Sequence, residues 1–206
     1  MNADSIDLEV STQAGSTRKK ITLLFDHYFE SGQGKYDILH LIRSRGHFLV
    51  TDWKEFEERY WSSLDRNRNG FADGVGTDYD LIVDAPSNSG HHRPFLSAVR
   101  QRCRCPFAVL VKETHFRAEP GNLDKLRAAI KFHGKVAGNI GDRRSVLIVD
   151  DVYCSGTIAR IVIEKLLEAG LSPDANIVVA CPLRMPPKPE ASDVMAAVSD
   201  QGADGG

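Results

Sequence analysis

Apolar residues fall along the chain in short blocks of two kinds, some continuous and rich in β-branched residues, others recurring every three or four positions. Val146, Leu147, Ile148 and Val149 form the clearest continuous block, the pattern of a strand buried on both faces. Asp150 and Asp151 end it abruptly. Ile158, Ile161, Val162, Leu166 and Leu167 then recur at helical spacing up to Gly170, a glycine placed to terminate a helix. Residues 78–85, 107–111 and 177–180 read as further buried strands, and Phe95, Leu96, Val99 and Cys103 as one face of a helix between the first two. Alternation of strand and helix over 78–183 predicts an α/β fold, a parallel sheet flanked by helices on both faces.

The pattern is looser before residue 78. Residues 1–19 are polar and predict a disordered leader. Residues 21–29 read as a strand, 36–45 as a one-faced helix and 47–50 as a short strand. Asp52 and Glu55 make a capping box for a helix striped by Trp53, Phe56, Tyr60 and Leu64. Asp65-Arg-Asn-Arg-Asn-Gly70 matches the opening of a calcium loop, but its twelfth position is Gly76 and lacks the bidentate acid. A polar turn explains the same residues. From Pro186 onward, prolines and small acidic residues predict a disordered tail. The chain thus divides into a leader (1–19), an N-terminal hood or flank (20–76), a core (77–185) and a tail (186–206).

Composition narrows the function. Charges nearly balance at a net −2, which argues against a nucleic-acid surface or a polybasic membrane patch. No segment is long and apolar enough to span a bilayer, and the N-terminus lacks the apolar core of a signal peptide, so a cytoplasmic protein is expected. Cys103, Cys105, Cys154 and Cys181 complete no zinc pattern and read as reduced thiols.

The chemistry sits at the end of the best strand. Strand, acidic pair, small polar turn and helix follow one another from Val146 to Leu167. A helix N-terminus offers free N–H groups and a favourable dipole to a phosphate, and open α/β sheets bind ligands at the carboxyl ends of their strands. A second junction of this kind runs from residues 78–85 through Ser87, Asn88, Ser89 and Gly90. His91 and His92, which follow, either assist phosphate binding or stand solvated at a helix start.

The run VLIVDDVYCSGTIAR resembles the phosphoribosyl pyrophosphate (PRPP) signature of the type I phosphoribosyltransferases, with the Gly-Thr-x-Ala-Arg spacing nearest the orotate enzymes and a layout similar to the ComF-like group. Tyr153, Cys154 and Ile158 depart from the residues usual there. The resemblance implies a phosphoribosyltransferase fold and a Mg2+-chelated PRPP substrate. It implies 5′-phosphate binding by Tyr153, Cys154, Ser155, Gly156 and Thr157, and pyrophosphate binding by Ser87, Asn88, Ser89, Gly90 and Arg93. Asp150 and Asp151 would hold the ribose hydroxyls and the magnesium, directly or through water, and Lys112 would act on the leaving group. Residues 114–144, with Arg117, Lys125, Arg127, Lys131, Lys135 and several glycines, would form a lid; a solvated basic helix in an ordinary connection explains the same residues. The implied activity is transfer of the phosphoribosyl group to a nitrogenous acceptor with release of pyrophosphate. A non-catalytic PRPP- or nucleotide-binding regulator of the ComF-like kind is the alternative, and a homodimer is admissible for either.

Overall fold

A computed structural model describes residues 1–12, 15–28, 62–87, 90, 92–113, 122–134 and 139–184. The helix expected at 36–45, the strand at 47–50 and most of the helix after Asp52 lie outside the described residues, as does the tail from 186. In chain order the elements are β1 (Asn2–Thr12), β2 (Gly15–Tyr28), α1 (Ser62–Val75), β3 (Leu81–Asp84), α2 (Arg93–Arg102), β4 (Phe107–Lys112), α3 (Leu123–Ala129), β5 (Ile130–Phe132), β6 (Ser145–Val149), β7 (Val152–Tyr153), α4 (Thr157–Glu168) and β8 (Asn176–Arg184).

The strands join one sheet in the order β1-β2-β8-β6-β3-β4-β5. From β2 to β4 every pairing is parallel, and β1 and β5 close the edges antiparallel. Side chains alternate between two apolar layers, as the pleat requires. Leu81, Val83, Val146 and Ile148 face a layer with Leu126, Ile161, Val162 and Leu166, whereas Ile82, Leu147 and Val149 face Phe71, Phe95 and Val99. Helices α3 and α4 therefore cover one face, and α1 and α2 the other, as the alternation of strands and helices predicts.

Two expectations are corrected. Residues 1–19 are not a disordered leader. Asn2–Thr12 pairs along its whole length with Gly15–Tyr28, because Leu8 and Val10 point inward and are buried beside α4 while Asp7 and Glu9 point out. Lys19 fastens the hairpin further, donating to the carbonyls of Pro173 and Ala175. Residues 65–70 are neither a turn nor a calcium loop but part of α1. Phe71, Ala72 and Val75 lie on one helical face, and Phe71 meets the Phe95 ring edge-on at 5.0 Å. Burial of that face outweighs the turn propensity of Asn and Gly.

Candidate functional site

The crossovers locate a crevice. After β3 the chain passes through α2 to β4 on one side, and after β6 it passes through α4 to β8 on the other. Strands β3 and β6 are neighbours, so their following loops diverge to opposite faces and leave a gap at the carboxyl ends, the place where open α/β sheets take ligands. Among the sequence-predicted residues, Ser87 and Asp151 meet at this gap. Ser87, in the loop after β3, donates to Asp151 Oδ2 at 2.5 Å, and Gly90 N donates to Ser87 Oγ at 3.1 Å. Gly90 adopts φ +68°, a left-handed conformation that turns the loop back toward α2. Arg93 lies exposed alongside Gly90. Asn88, Ser89 and His91 lie outside the described residues.

The acidic pair interrupts the β6–β8 ladder. Val149 pairs with Ala180 and Val152 with Leu183, so the register is unchanged across the gap. Asp150 N still donates to Ala180 O at 3.0 Å, but the next ladder donor toward the Asp150 carbonyl falls at Pro182, which has no N–H. Val149 and Val152 consequently face the same apolar layer although an odd number of steps separates them. Ala180 and Leu183 on β8 share that layer too, so the alternation of side chains slips on both strands across the acidic pair.

Asp150 is only 6% exposed. Burial pushes its carboxyl well above the usual range, and the charge and carboxyl group of Asp151, with Asp84 behind, push the same way. The Asp151 N–H, donating to Oδ1 at 2.8 Å, offsets part of this. Lys112 closes the gap from the end of β4. Burial lowers its ammonium below the usual lysine value, and the charges of Asp151 and Asp150 restore part of the shift. Burial, reinforced by Asp150, likewise holds the Cys181 thiol neutral beneath the pair.

Beyond the pair the chain enters α4. Gly156 is its N-cap at φ +74°, and a side-chain carbon there would come within 2.6 Å of the Tyr153 hydroxyl and 3.0 Å of Leu8. Only glycine leaves the turn this close to what supports it. Tyr153 is buried under the turn, and burial raises its phenol to about 12, so it holds the backbone from below. Cys154 is half-buried. Ser155 is exposed, and its hydroxyl shares a 2.8 Å hydrogen bond with that of Thr157. The first N–H groups of α4 have no helical acceptor, and these two hydroxyls flank them.

The lid expectation is corrected for the described part of 114–144. Helix α3 and strand β5 pack onto the body through Leu126, Ala129 and Ile130, and β5 pairs antiparallel with β4. Arg127 is bound to Glu164 and Asp124, and Lys131 to Glu113, so neither cation is poised over the crevice. Lys125 is exposed on α3; Arg117 and Lys135 lie outside the described residues. The sequence reading also missed a pair behind the crevice. Asp84, ending β3, lies 2.5 Å from Nε2 of His92, the N-cap of α2. His92 is 2% exposed and therefore not solvated.

Among the described residues no three His, Cys, Asp or Glu side chains gather as a metal cage. Magnesium rarely needs one, because it keeps waters and is commonly held by one or two carboxylates plus substrate phosphates. Two adjacent carboxyl groups, one of them displaced upward in its ionisation by burial and then by its neighbour, fit a cation that arrives on a phosphate ligand. No helix among the described residues is long and apolar enough to cross a membrane.

No protein-family model and no curated protein matches the chain. Several solved structures do. A purine phosphoribosyltransferase from Pyrococcus horikoshii Ot3 is 21% identical, with 62% of this chain and 85% of that chain covered at a TM-score of 0.42. An orotate phosphoribosyltransferase from Aeropyrum pernix is 14% identical, with 74% and 73% covered at 0.37. A hypothetical protein from Neisseria gonorrhoeae with bound ppGpp is 14% identical, with 66% and 91% covered at 0.34.

Proposed function

We propose that this crevice binds PRPP as its magnesium complex and transfers the phosphoribosyl group to a nitrogenous acceptor, releasing pyrophosphate. The Ser87–Asp151 hydrogen bond carries the reading. It ties the loop after β3 to the acidic pair after β6 at a gap where the described connections of the sheet diverge, so an anion cradle on each side faces a shared carboxyl pair.

Each part of PRPP then meets matching chemistry. The 5′-phosphate takes the N–H groups at the start of α4 and the hydroxyls of Ser155 and Thr157. Asp150 and Asp151 accept from the ribose hydroxyls and would hold the magnesium. The pyrophosphate lies toward Ser87, Gly90, Arg93 and Lys112. Bound magnesium supplies charge neutralisation on the leaving pyrophosphate. The protein contributes fixed donors and cations around a developing charge, and such preorganised electrostatics usually lower a barrier of this kind the most. No side chain has to act as a nucleophile.

The anchoring of Arg127 and Lys131 away from the crevice favours a second reading, a PRPP- or nucleotide-binding regulator without turnover. Two measurements separate the readings. Mg–PRPP at a hundredfold excess over Kd should stabilise the folded chain by about 2.7 kcal/mol, read as a thermal shift. Pyrophosphate release should then appear with one member of a panel of nucleobases and ammonia donors. A shift without release leaves the regulator, and no shift removes the transferase and the PRPP-binding form of the regulator.

A further inference from the structure

The Asp84–His92 pair has a cost that packing does not explain. His92 is the N-cap of α2, yet its side chain caps no helix N–H, whereas a Ser or Asp there would. Its Nδ1 is buried with no hydrogen-bond partner, the one such side-chain atom among the described residues. A buried polar atom left unpaired is destabilising, and each such atom in a native fold calls for a reason. What the ring does make is a single short contact, Nε2 to Asp84 Oδ1 at 2.5 Å. A carboxylate can only accept, so the Nε2 proton lies between them.

That contact joins the last residue of β3 to the first residue of the α2 turn, across eight positions of chain. Ser87 and Gly90 lie inside the closed loop. Arg93 N donates to Gly90 O at 3.2 Å and Gly90 N to Ser87 Oγ, so the constraint passes from the clasp through Gly90 to the hydroxyl that holds Asp151. We propose that His92 is a positioning residue. Held by Asp84, it clasps the loop after β3 so that Ser87 presents its hydroxyl to Asp151 and fixes the acidic pair for Mg–PRPP. The loop geometry stands on the contacts themselves; its consequence for Mg–PRPP rests on the proposed function.

The experiment uses the full chain. A glutamine at position 92 carries an amide N–H at about the reach of Nε2, whereas asparagine reaches only the place of Nδ1. His92→Gln should keep the clasp and His92→Asn should break it. Hydrogen exchange of segment 85–92, measured without ligand, should match the parent in His92→Gln and quicken in His92→Asn while the exchange of β6 and β8 stays unchanged. By calorimetry, His92→Asn should weaken Mg–PRPP about tenfold, the scale of a hydrogen bond to a charged group, and His92→Gln should keep the parent's affinity. Because His92 acts through Ser87, adding His92→Asn to Ser87→Ala should cost nothing more, a non-additivity that general loosening would not give.

Equal exchange in the parent and His92→Asn overturns the clasp, as does equal loss in Gln and Asn, or full additivity with Ser87→Ala. If the parent binds no Mg–PRPP, the proposed function fails while the exchange result still decides the clasp. Should His92→Asn not fold, Asp84→Ala breaks the same bond from its other side and is read the same way.

Discussion

Glu164→Ala should destabilise the protein by about 3 kcal/mol, at the lower edge of the range for removing one partner of a buried ion pair. Glu164 lies in the middle of α4 and is 2% exposed. Its Oε1 accepts from Ser11 N at 2.7 Å on β1 and from Arg160 Nε at 3.1 Å on α4, and its Oε2 accepts from Arg127 Nε at 2.7 Å on α3. One carboxylate therefore ties the hairpin, α3 and α4 together. Arg127 and Arg160 are each about a quarter exposed and can regain water, which keeps the loss from being larger. Glu164→Gln retains acceptor oxygen for Ser11 and should cost about 1 kcal/mol.

The pH dependence follows from the same contacts. Burial alone would raise the Glu164 carboxyl, but Arg127, Ser11 N and Arg160 overcome it and hold the group below its ordinary value. A depressed carboxylate stabilises the fold above its unfolded pKa, and that contribution is lost as pH falls through the folded value. The parent should lose stability on acidification below the ordinary glutamate range, and Glu164→Gln should flatten that limb. Urea unfolding at a series of pH values measures both, and a parallel slope in parent and variant would contradict the assignment.

Lys112→Ala should lower turnover on the order of 10²-fold, comparable to removing one preorganised donor, with Mg–PRPP affinity changed less. Lys112 sits at the end of β4, where it pairs with Ile130 of β5, and needs no closing segment to place it. In the proposed reaction its charge would be felt most when the bond to the anomeric carbon breaks and pyrophosphate carries the electrons away, so its effect would belong mainly to the transition state. Burial lowers its ammonium. The alkaline limb of kcat/KM, which reports the free enzyme, should accordingly begin below the ordinary lysine range and disappear in the variant. A loss of affinity with turnover unchanged would show that Lys112 only strengthens binding.

The core and the site are legible in the sequence where one signal dominates. The run Val146–Val149, closed by Asp150 and Asp151 and followed by a helical stripe, admits few other structures, and it specifies β6, the acidic pair and α4. Other stretches carry two signals, and the local one misleads. Ile6-Asp7-Leu8-Glu9-Val10 alternates with the period of a half-buried strand, but polar neighbours on both sides suggest disorder. The Asp-Arg-Asn-Arg-Asn-Gly run suggests a turn, and only the packing of Phe71 against Phe95 makes it a helix. Residues 130–132 continue a helical pattern from Leu123, yet Ile130–Phe132 pairs with β4, a long-range contact that local periodicity does not report. The Asp84–His92 contact is tertiary in the same sense, since nothing in a strand-final Asp and a His eight residues later specifies that they meet.

The central claim is that the joined loops after β3 and β6 form one Mg–PRPP site. Calorimetric titration of Mg–PRPP into the parent and into Asp151→Asn tests it most directly. That substitution keeps the side-chain shape and an oxygen for Ser87, and it removes the charge that magnesium and the ribose hydroxyls would use. The account predicts saturable, magnesium-dependent binding to the parent and a loss of at least about tenfold in Asp151→Asn, the scale of a charged hydrogen bond, with its melting temperature held near the parent's. Equal affinity in the two proteins, or no binding to a folded parent, would contradict it.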